Sequence, residues 1–427
     1  MMLIPCSGTA AQVEQPSRDA RQTPNIILIV SDDQAWGDYG FMGHPSIQTP
    51  NLDQLAASGL VYPHAYVPTS LCRPSLASIS TGLYPRQHGI TGNGPVKSEV
   101  EAENIEANRQ YIERFSSSPQ LAGYLETAGY RSFQAGKWWE GSYRNGGFTQ
   151  GMTHGDPLRG GRHGDEGLAI GRETMQPLYD FIDEDGETPF FLWYAPVLPH
   201  FPHDAPQALV DKYLKVGIHP KLAAYYATCE WFDETIGQLL GFIKKRGLSE
   251  DTVILYVGDN GWIQPTQRFR GQPWYLGAPR GKASPYDGGL RTPIIISHPG
   301  SIPAAISETA ISSLDILPTV LRIAGLKPPQ HLPGVDLLDV HAVGQKGPVF
   351  GAVYAHDMTN GNSPTDDLLS RWVVDNKWKL ILPRSAPAEL YVLTKDPGEL
   401  NDMAQQHPEQ VRRLTNTIEV WWSEPRS

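Results

Sequence analysis

NIILIVSDD, residues 25–33, is an unbroken run of apolar, largely β-branched residues that stops at two aspartates. A strand with one wet face alternates apolar and polar residues, whereas a continuous run of this length is the pattern of a strand covered on both faces. The pattern recurs at Thr252 to Val257 (TVILYV), which stops at Gly258-Asp259-Asn260-Gly261. Phe190 to Ala195 runs up to Pro199-His200, and Pro293 to Ser297 is a fourth such stretch. Helical segments lie between them. Thr49-Pro50 opens one that closes at Gly59, and Ser118-Pro119 opens another that closes at Gly129, with proline at the start and glycine at the stop. A longer amphipathic helix is expected over 221–246. Buried strands alternating with helices predict an α/β fold, a mostly parallel sheet flanked by helices. Ligands in such sheets gather at the carboxyl ends of the strands, which is where the acidic pairs stand.

The 427 residues, 40% of them hydrophobic and 19% charged, suffice for a sizeable core and two or three modules. A net charge of −11 argues against nucleic acid or an anionic membrane as the partner, so an anionic substrate would need a local cationic pocket. Three cysteines make no disulfide framework. No run approaches the ~18 apolar residues of a membrane span. The N-terminus, MMLIPCSGTAAQVEQ, has small residues but no charged leader, so residues 1–23 are read as a signal remnant or a disordered tail. Two stretches read as long loops: 91–118, with a charged middle compatible with helix, and 141–167, rich in glycine, arginine and histidine. Past about residue 340 the texture changes. RWVVDNKWKLIL (371–382) and ELYVL (389–393) alternate as antiparallel strands do, and a helix is expected over 407–422. The chain therefore divides into an α/β domain over 24–340 and a smaller C-terminal α+β subdomain with an antiparallel sheet over 341–427.

Adjacent carboxylates repel and raise one another's pKa unless a cation neutralises them. Asp32, Asp33, Asp259 and Asn260 offer oxygen ligands on two strand ends, a set that suits calcium or magnesium. An Asx turn after each strand is the bland alternative, which one Asp-Asn-Gly alone would favour. The second candidate centre is Cys72, in CRPSLASISTGLYPRQHGI (72–90), far in sequence from Cys6 and Cys229. Pro74 suits a first helical position, which places Cys72 at a helix N-terminus, a setting favourable to anions.

The Cys72 block resembles the signature C-x-P-S-R of the formylglycine-dependent, calcium-binding sulfatases of the alkaline phosphatase superfamily. The residue string PNIILIVSDDQAWGDYG and the GDNG turn resemble that family's two metal blocks. GKASPYDGGLRTP (281–293) matches its G-K-x-x-x-Y-[ED]-G-G-x-R-x-P throughout, and ELYVLTKDPGELNDMA (389–404) is similar to its C-terminal block. The resemblance implies an alkaline-phosphatase-like fold, Cys72 oxidised to formylglycine, and calcium (or Mg2+) held by Asp32, Asp33, Asp259 and Asn260 beside Cys72. It implies that Lys137 (in AGKWW) and Lys282 bind sulfate oxygens, and that His200 (in LPHFP) protonates the leaving alkoxide. His203 is expected to assist in binding or to be a surface histidine.

Two positions depart from the family. Leu76 replaces the signature arginine, and Trp139 replaces the histidine of G-K-W-H. Arg73 is a candidate for the missing charge and for substrate contact, and His154 or His163 for the missing base. Trp138, Trp139, Trp262 and Trp274 suit stacking on sugar faces, or the core. The reading implied is hydrolysis of a sulfate ester, of a small molecule or an oligosaccharide, after maturation by a formylglycine-generating enzyme, in a periplasmic or secreted protein. A phosphodiester or phosphonate monoester hydrolase on the same scaffold, and a non-catalytic binder of sulfated glycans, are the alternatives.

Overall fold

The computed structural model describes residues 23–155, 166–262, 280–359 and 365–423. His163, Trp274 and nearly all of the expected N-terminal tail lie outside them. At the centre of a nine-stranded sheet stands Asn25–Ser31, paired in parallel with Thr252–Gly258 on one side and Phe190–Ala195 on the other. Arg131–Gly136 continues the parallel set beyond Phe190–Ala195. Arg291–Ser297 runs antiparallel to Thr252–Gly258 and to Leu60–Tyr66. The sheet is thus mixed at that edge.

The continuous apolar runs are buried on both faces, as their composition requires. Ile26, Leu28 and Val30 enter one core with Leu76, Ile79 and Trp193. Ile27 and Ile29 enter the other with Phe232, Ile236 and Leu239 from the long helix Pro220–Lys245. Each fully buried side chain of this kind contributes roughly 1.5–3 kcal/mol. The helix Pro50–Ser58 begins at its proline and is capped by Gly59, as expected. The expected helical middle of the first long loop is Glu101–Ser116.

Four antiparallel strands, Val349–Tyr354, Leu368–Asp375, Trp378–Pro383 and Glu389–Val392, form the C-terminal sheet. The helix Pro408–Ser423 lays Leu414, Ile418 and Trp421 on its Val373, Leu380 and Leu390 face. The other face packs Trp372, Ile381 and Tyr391 against Tyr66, Val67 and Leu290. A buried triad crosses this junction: Lys379 Nζ lies 2.7 Å from Asp287 and 2.8 Å from Glu399. Among the described residues no helix is long and apolar enough to cross a membrane.

Candidate active site

Register assembles the acidic pairs. Ser31 pairs with Gly258, so Asp32 and Asp259 leave neighbouring strands side by side. Successive strand residues point to opposite faces. Asp33 escapes that alternation by adopting φ 59°, a left-handed conformation that aspartate tolerates better than most residues. Its N–H donates to Asp259 Oδ1 at 3.0 Å, which holds the turn. Glycine is obligatory in the facing turn, because a Cβ on Gly261 would lie 1.7 Å from the Gly288 carbonyl oxygen.

Cys72 opens the helix Cys72–Thr81, two residues earlier than expected, so Pro74 sits within the first turn rather than at its start. Both positions lack an intrahelical acceptor for their N–H, and proline is tolerated at either. One ligand atom each from Asp32, Asp33, Cys72 and Asp259 lie within 4.8 Å of one another, and all four residues are buried. The two lysines close on this group. Lys137 Nζ is 2.5 Å from Asp32 Oδ1 and 3.4 Å from Asp259 Oδ2. Lys282 Nζ pairs with Asp33 Oδ1 and stands 2.7 Å from Cys72 Sγ. Lys137 can follow its strand so directly only because Gly136, at φ 91°, carries no Cβ, which would meet the Ala195 carbonyl oxygen at 2.1 Å.

These neighbours set the protonation states. Burial, reinforced by Asp32 and Asp33 and opposed by Lys137, pushes the Asp259 carboxyl up to about 7. Burial acts on Asp32 too, but there Lys137, His200 and Lys282 prevail and hold it below the usual carboxylate range. Burial would discharge both lysines, yet the surrounding anions hold each above its ordinary value. Burial pushes the Cys72 thiol up to about 12 against the pull of the two lysines, so at neutral pH it keeps its proton.

The donor set fits a hard divalent cation. Asp32 Oδ2 and Asn260 Oδ1 are buried and find no hydrogen-bond donor among the described residues. Asn260 is oriented by its amide, which donates to Asp33 Oδ1 at 2.6 Å and leaves Oδ1 as the available acceptor. Buried acceptors without partners are rare and costly. Among the described residues, and with Asp259 ionised, three carboxylates against two ammoniums leave one excess negative charge. A divalent ion would turn that into one positive charge, matched to a singly charged sulfate ester.

His200 reaches the cluster with Nε2 at 3.6 Å from Asp33 Oδ2, and its Nδ1 lies 2.6 Å from the Phe201 carbonyl oxygen. His203 stands beside it against the rings of Tyr225 and Trp262, at 5.3 and 6.1 Å. Burial, then the charge of His200, pulls His203 down to about 4, so it is a neutral imidazole rather than a cation. Arg73 does not take up the charge lost at Leu76. Its Nε and Nη2 are each 2.7 Å from the Glu140 carboxylate and its Nη1 2.9 Å from Asn108 Oδ1, so the guanidinium is spent on a buried partner. Leu76 and Trp139 both lie in the apolar cluster that holds Cys72. The Trp139 ring stands 6.0 Å from Lys137 Nζ. Trp138 packs edge-on against Phe115, Phe148 and Trp193, and Trp262 stacks on Tyr225 at 3.7 Å, so both are core residues rather than sugar platforms. His154 faces Tyr143 at 5.9 Å.

Sequence reading missed Glu140, Asn93 and Asn108, which tie down the residue after Cys72. It also missed Tyr225, whose hydroxyl stands 2.7 Å from Asp38 and 3.3 Å from the Asp33 carbonyl oxygen behind the acidic turn. No local pattern marks such partners.

The sulfatase family profile matches residues 24–326. The chain belongs to the sulfatase family. A second profile, the C-terminal region of N-sulphoglucosamine sulphohydrolase, matches residues 281–421. N-acetylgalactosamine-6-sulfatase of Sus scrofa is 30% identical over 374 residues, covering 78% of this chain and 69% of that one. Arylsulfatase A of Homo sapiens is 29% identical over 462 residues, covering 92% and 86%. Among solved structures, Ps i-CgsB in complex with k-i-k-neocarrahexaose superimposes with a TM-score of 0.74 at 23% identity, covering 95% of this chain and 94% of that one. A protein solved with its substrate D-glucosamine-2-N,6-O-disulfate gives 0.68 at 19% identity, covering 93% and 97%. These two likenesses are of fold. With the profile and the relatives near 30% identity, the chain is a sulfuric ester hydrolase.

Proposed function

We propose that this sulfatase hydrolyses the sulfate ester of a carbohydrate, with Cys72 converted to formylglycine and calcium (or magnesium) held by Asp32, Asp33, Asp259 and Asn260. The observation that carries the reading is the convergence of Cys72, three carboxylates and two lysines in one buried cluster. An unmodified thiol pushed up to about 12 is a poor nucleophile at neutral pH, which favours a modified side chain there. Formylglycine would supply a hydrated aldehyde oxygen to attack sulfur. The metal would lower the pKa of a bound hydroxyl and polarise the sulfate.

The chain's own residues bind and move charge around that chemistry. Lys137 and Lys282, held protonated, neutralise the sulfuryl oxygens as charge develops. His200 delivers a proton from Nε2 to the departing alkoxide, its ring oriented by the Phe201 carbonyl at Nδ1. Leu76 and Trp139, both buried, exclude water from the Cys72 side. The same reading carries a formylglycine-generating enzyme as maturation partner and a periplasmic or secreted location, where sulfated glycans are met.

Peptide mass spectrometry on the Cys72 fragment, from protein made with a maturing enzyme, is the first test. It should show the mass deficit of a thiol exchanged for an aldehyde; an intact thiol in active protein would sink the mechanism. A panel of para-nitrophenyl sulfate, its phosphate counterpart, N-acetylgalactosamine 6-sulfate, D-glucosamine-2-N,6-O-disulfate and a sulfated carrageenan oligosaccharide then ranks substrates. Preference for the phosphate ester would overturn the assignment of sulfur as the reacting centre.

A further inference from the structure

A cavity of about 950 Å³ reaches Trp139, whose ring stands 6.0 Å from Lys137 Nζ. That is at the upper end of volumes that enclose a drug-sized ligand and far more than a sulfate group fills. Trp139 lines it, two residues from Lys137, and so do Asn93 and Asn108. Both asparagines are anchored next to the nucleophile. The Arg73 backbone N–H donates to Asn93 Oδ1 at 3.1 Å, and Arg73 Nη1 donates to Asn108 Oδ1 at 2.9 Å. Each therefore spends its acceptor on Arg73 and keeps its amide hydrogens for other partners.

Asn93 Nδ2 lies 3.3 Å from His356 Nε2. An amide nitrogen only donates, so Nε2 accepts, and the neutral imidazole carries its proton on Nδ1. Nδ1 stands 2.7 Å from Asp357 Oδ1, which accepts it. Amide, imidazole and carboxylate thus form a directed chain from the residue after Cys72 to the cavity wall. His356 and Asp357 line that wall with side chains 57% and 45% exposed, so their mutual hydrogen bond does not serve packing. They arrive from the far end of the chain, docked where Asp357–Met358 pairs with Gly94–Pro95.

We propose that this cavity is the saccharide subsite, and that Asn93, Asp357 and Asn108 recognise hydroxyls of the sugar ring that carries the sulfate. The inference rests on the sulfatase reading and names what lies beyond the sulfur. Sugar hydroxyls both donate and accept, which a wall offering a carboxylate acceptor (Asp357) and an amide donor (Asn108) satisfies in fixed directions. An aromatic side chain at Trp139, where the family has histidine, adds an apolar surface for the C–H face of a pyranose. His356 acts through Asp357 and Asn93 as a positioning residue.

The test compares Asp357→Asn, His356→Ala and the conservative His356→Gln in matured, metal-loaded enzyme. Hydrogen bonds to a charged group are worth enough that Asp357→Asn should lower kcat/KM roughly 10-fold more for the best sulfated saccharide of the panel than for para-nitrophenyl sulfate, mostly through KM. His356→Gln should recover part of the loss caused by His356→Ala. Equal losses on both substrates, or no loss on the saccharide, would overturn the proposal. Binding of the sulfated saccharides, followed by saturation-transfer NMR, separates this outcome from failure of the sulfatase reading. Wild-type enzyme that turns over no sulfate yet binds a saccharide, with binding weakened by Asp357→Asn, upholds the subsite alone. Absence of saccharide binding by the wild type overturns it.

Discussion

Calcium and a proton should compete for Asp259. In the metal-free site burial and the neighbouring Asp32 and Asp33 hold the Asp259 carboxyl at about 7, despite Lys137. Asp32 is held below the ordinary range and stays ionised throughout the working window. One proton must therefore leave when the metal enters below neutrality. Between pH 7.5 and pH 5.5 the ionised fraction of a group titrating at 7 falls from about three quarters to about 3%, so calcium affinity should drop about 25-fold, or about 2 kcal/mol. The sign for stability follows from the same shift. Asp259 is raised from 3.8, so its contribution to the metal-free fold is full below that value and is lost as pH rises through 7. Calcium should accordingly raise the melting temperature more at pH 7.5 than at pH 5.5. Calorimetric titration of metal-stripped protein at both pH values, in two buffers of different ionisation enthalpy, reads affinity and proton release together. Asp259→Asn should weaken binding at pH 7.5 and remove most of the pH dependence. An affinity change below about 3-fold, or no proton released at pH 5.5, refutes the reasoning.

Three further outcomes are expected. Glu140→Gln strands the Arg73 guanidinium in the interior and should cost about 3–5 kcal/mol in thermal or denaturant unfolding, while the double change Arg73→Met with Glu140→Met should recover much of it. A single variant as stable as the wild type would show that the pair is dispensable. Lys282→Met removes the ammonium beside Cys72 Sγ and should lower kcat/KM roughly 10²–10³-fold with the fold intact, as checked by circular dichroism. Lys379→Met removes the ammonium that Asp287 and Glu399 share, leaving Asp287 the more distant Arg291 at 3.9 Å; it should destabilise the protein by about 3–5 kcal/mol and raise the protease sensitivity of the C-terminal strands.

Much of the frame was legible because burial on both faces leaves a signal in one sequence alone. Asn25–Ser31 and Thr252–Gly258 announce themselves by unbroken apolar runs, and the polar residues that stop them mark the sheet's functional edge. Strand direction leaves no such mark. Pro293–Ser297 reads like its neighbours, yet the strand runs antiparallel, since an apolar residue packs equally well in either sense. The start of the Cys72 helix was misplaced by two residues for a similar reason: proline fits any early position where no intrahelical acceptor awaits an N–H. Pairings at long separation were not legible at all. Arg73 finds Glu140 67 residues away, a contact that tertiary packing alone creates, and the charge that sequence assigned to substrate is thereby withdrawn into the core.

That withdrawal gives the two departures from the family a common physical sense. Leu76 removes a fixed cation and Trp139 removes an ionisable ring, and both side chains join the apolar cluster around Cys72. Hydrocarbon in place of charged, hydrated groups lowers the local dielectric, which strengthens every remaining interaction there. Among the described residues the ammoniums that meet the acidic cluster are Lys137 and Lys282, each already in contact with a carboxylate and held protonated by its surroundings. Fewer charges in a drier site can therefore hold a sulfate as firmly as more charges in a wetter one. The cost falls on proton transfer, because with Trp139 in the histidine's place His200 is the imidazole that the described residues bring to the acidic cluster. His200→Ala should for that reason slow release of poor leaving groups such as sugar alkoxides far more than that of nitrophenolate. Equal slowing of both would place the proton donor elsewhere.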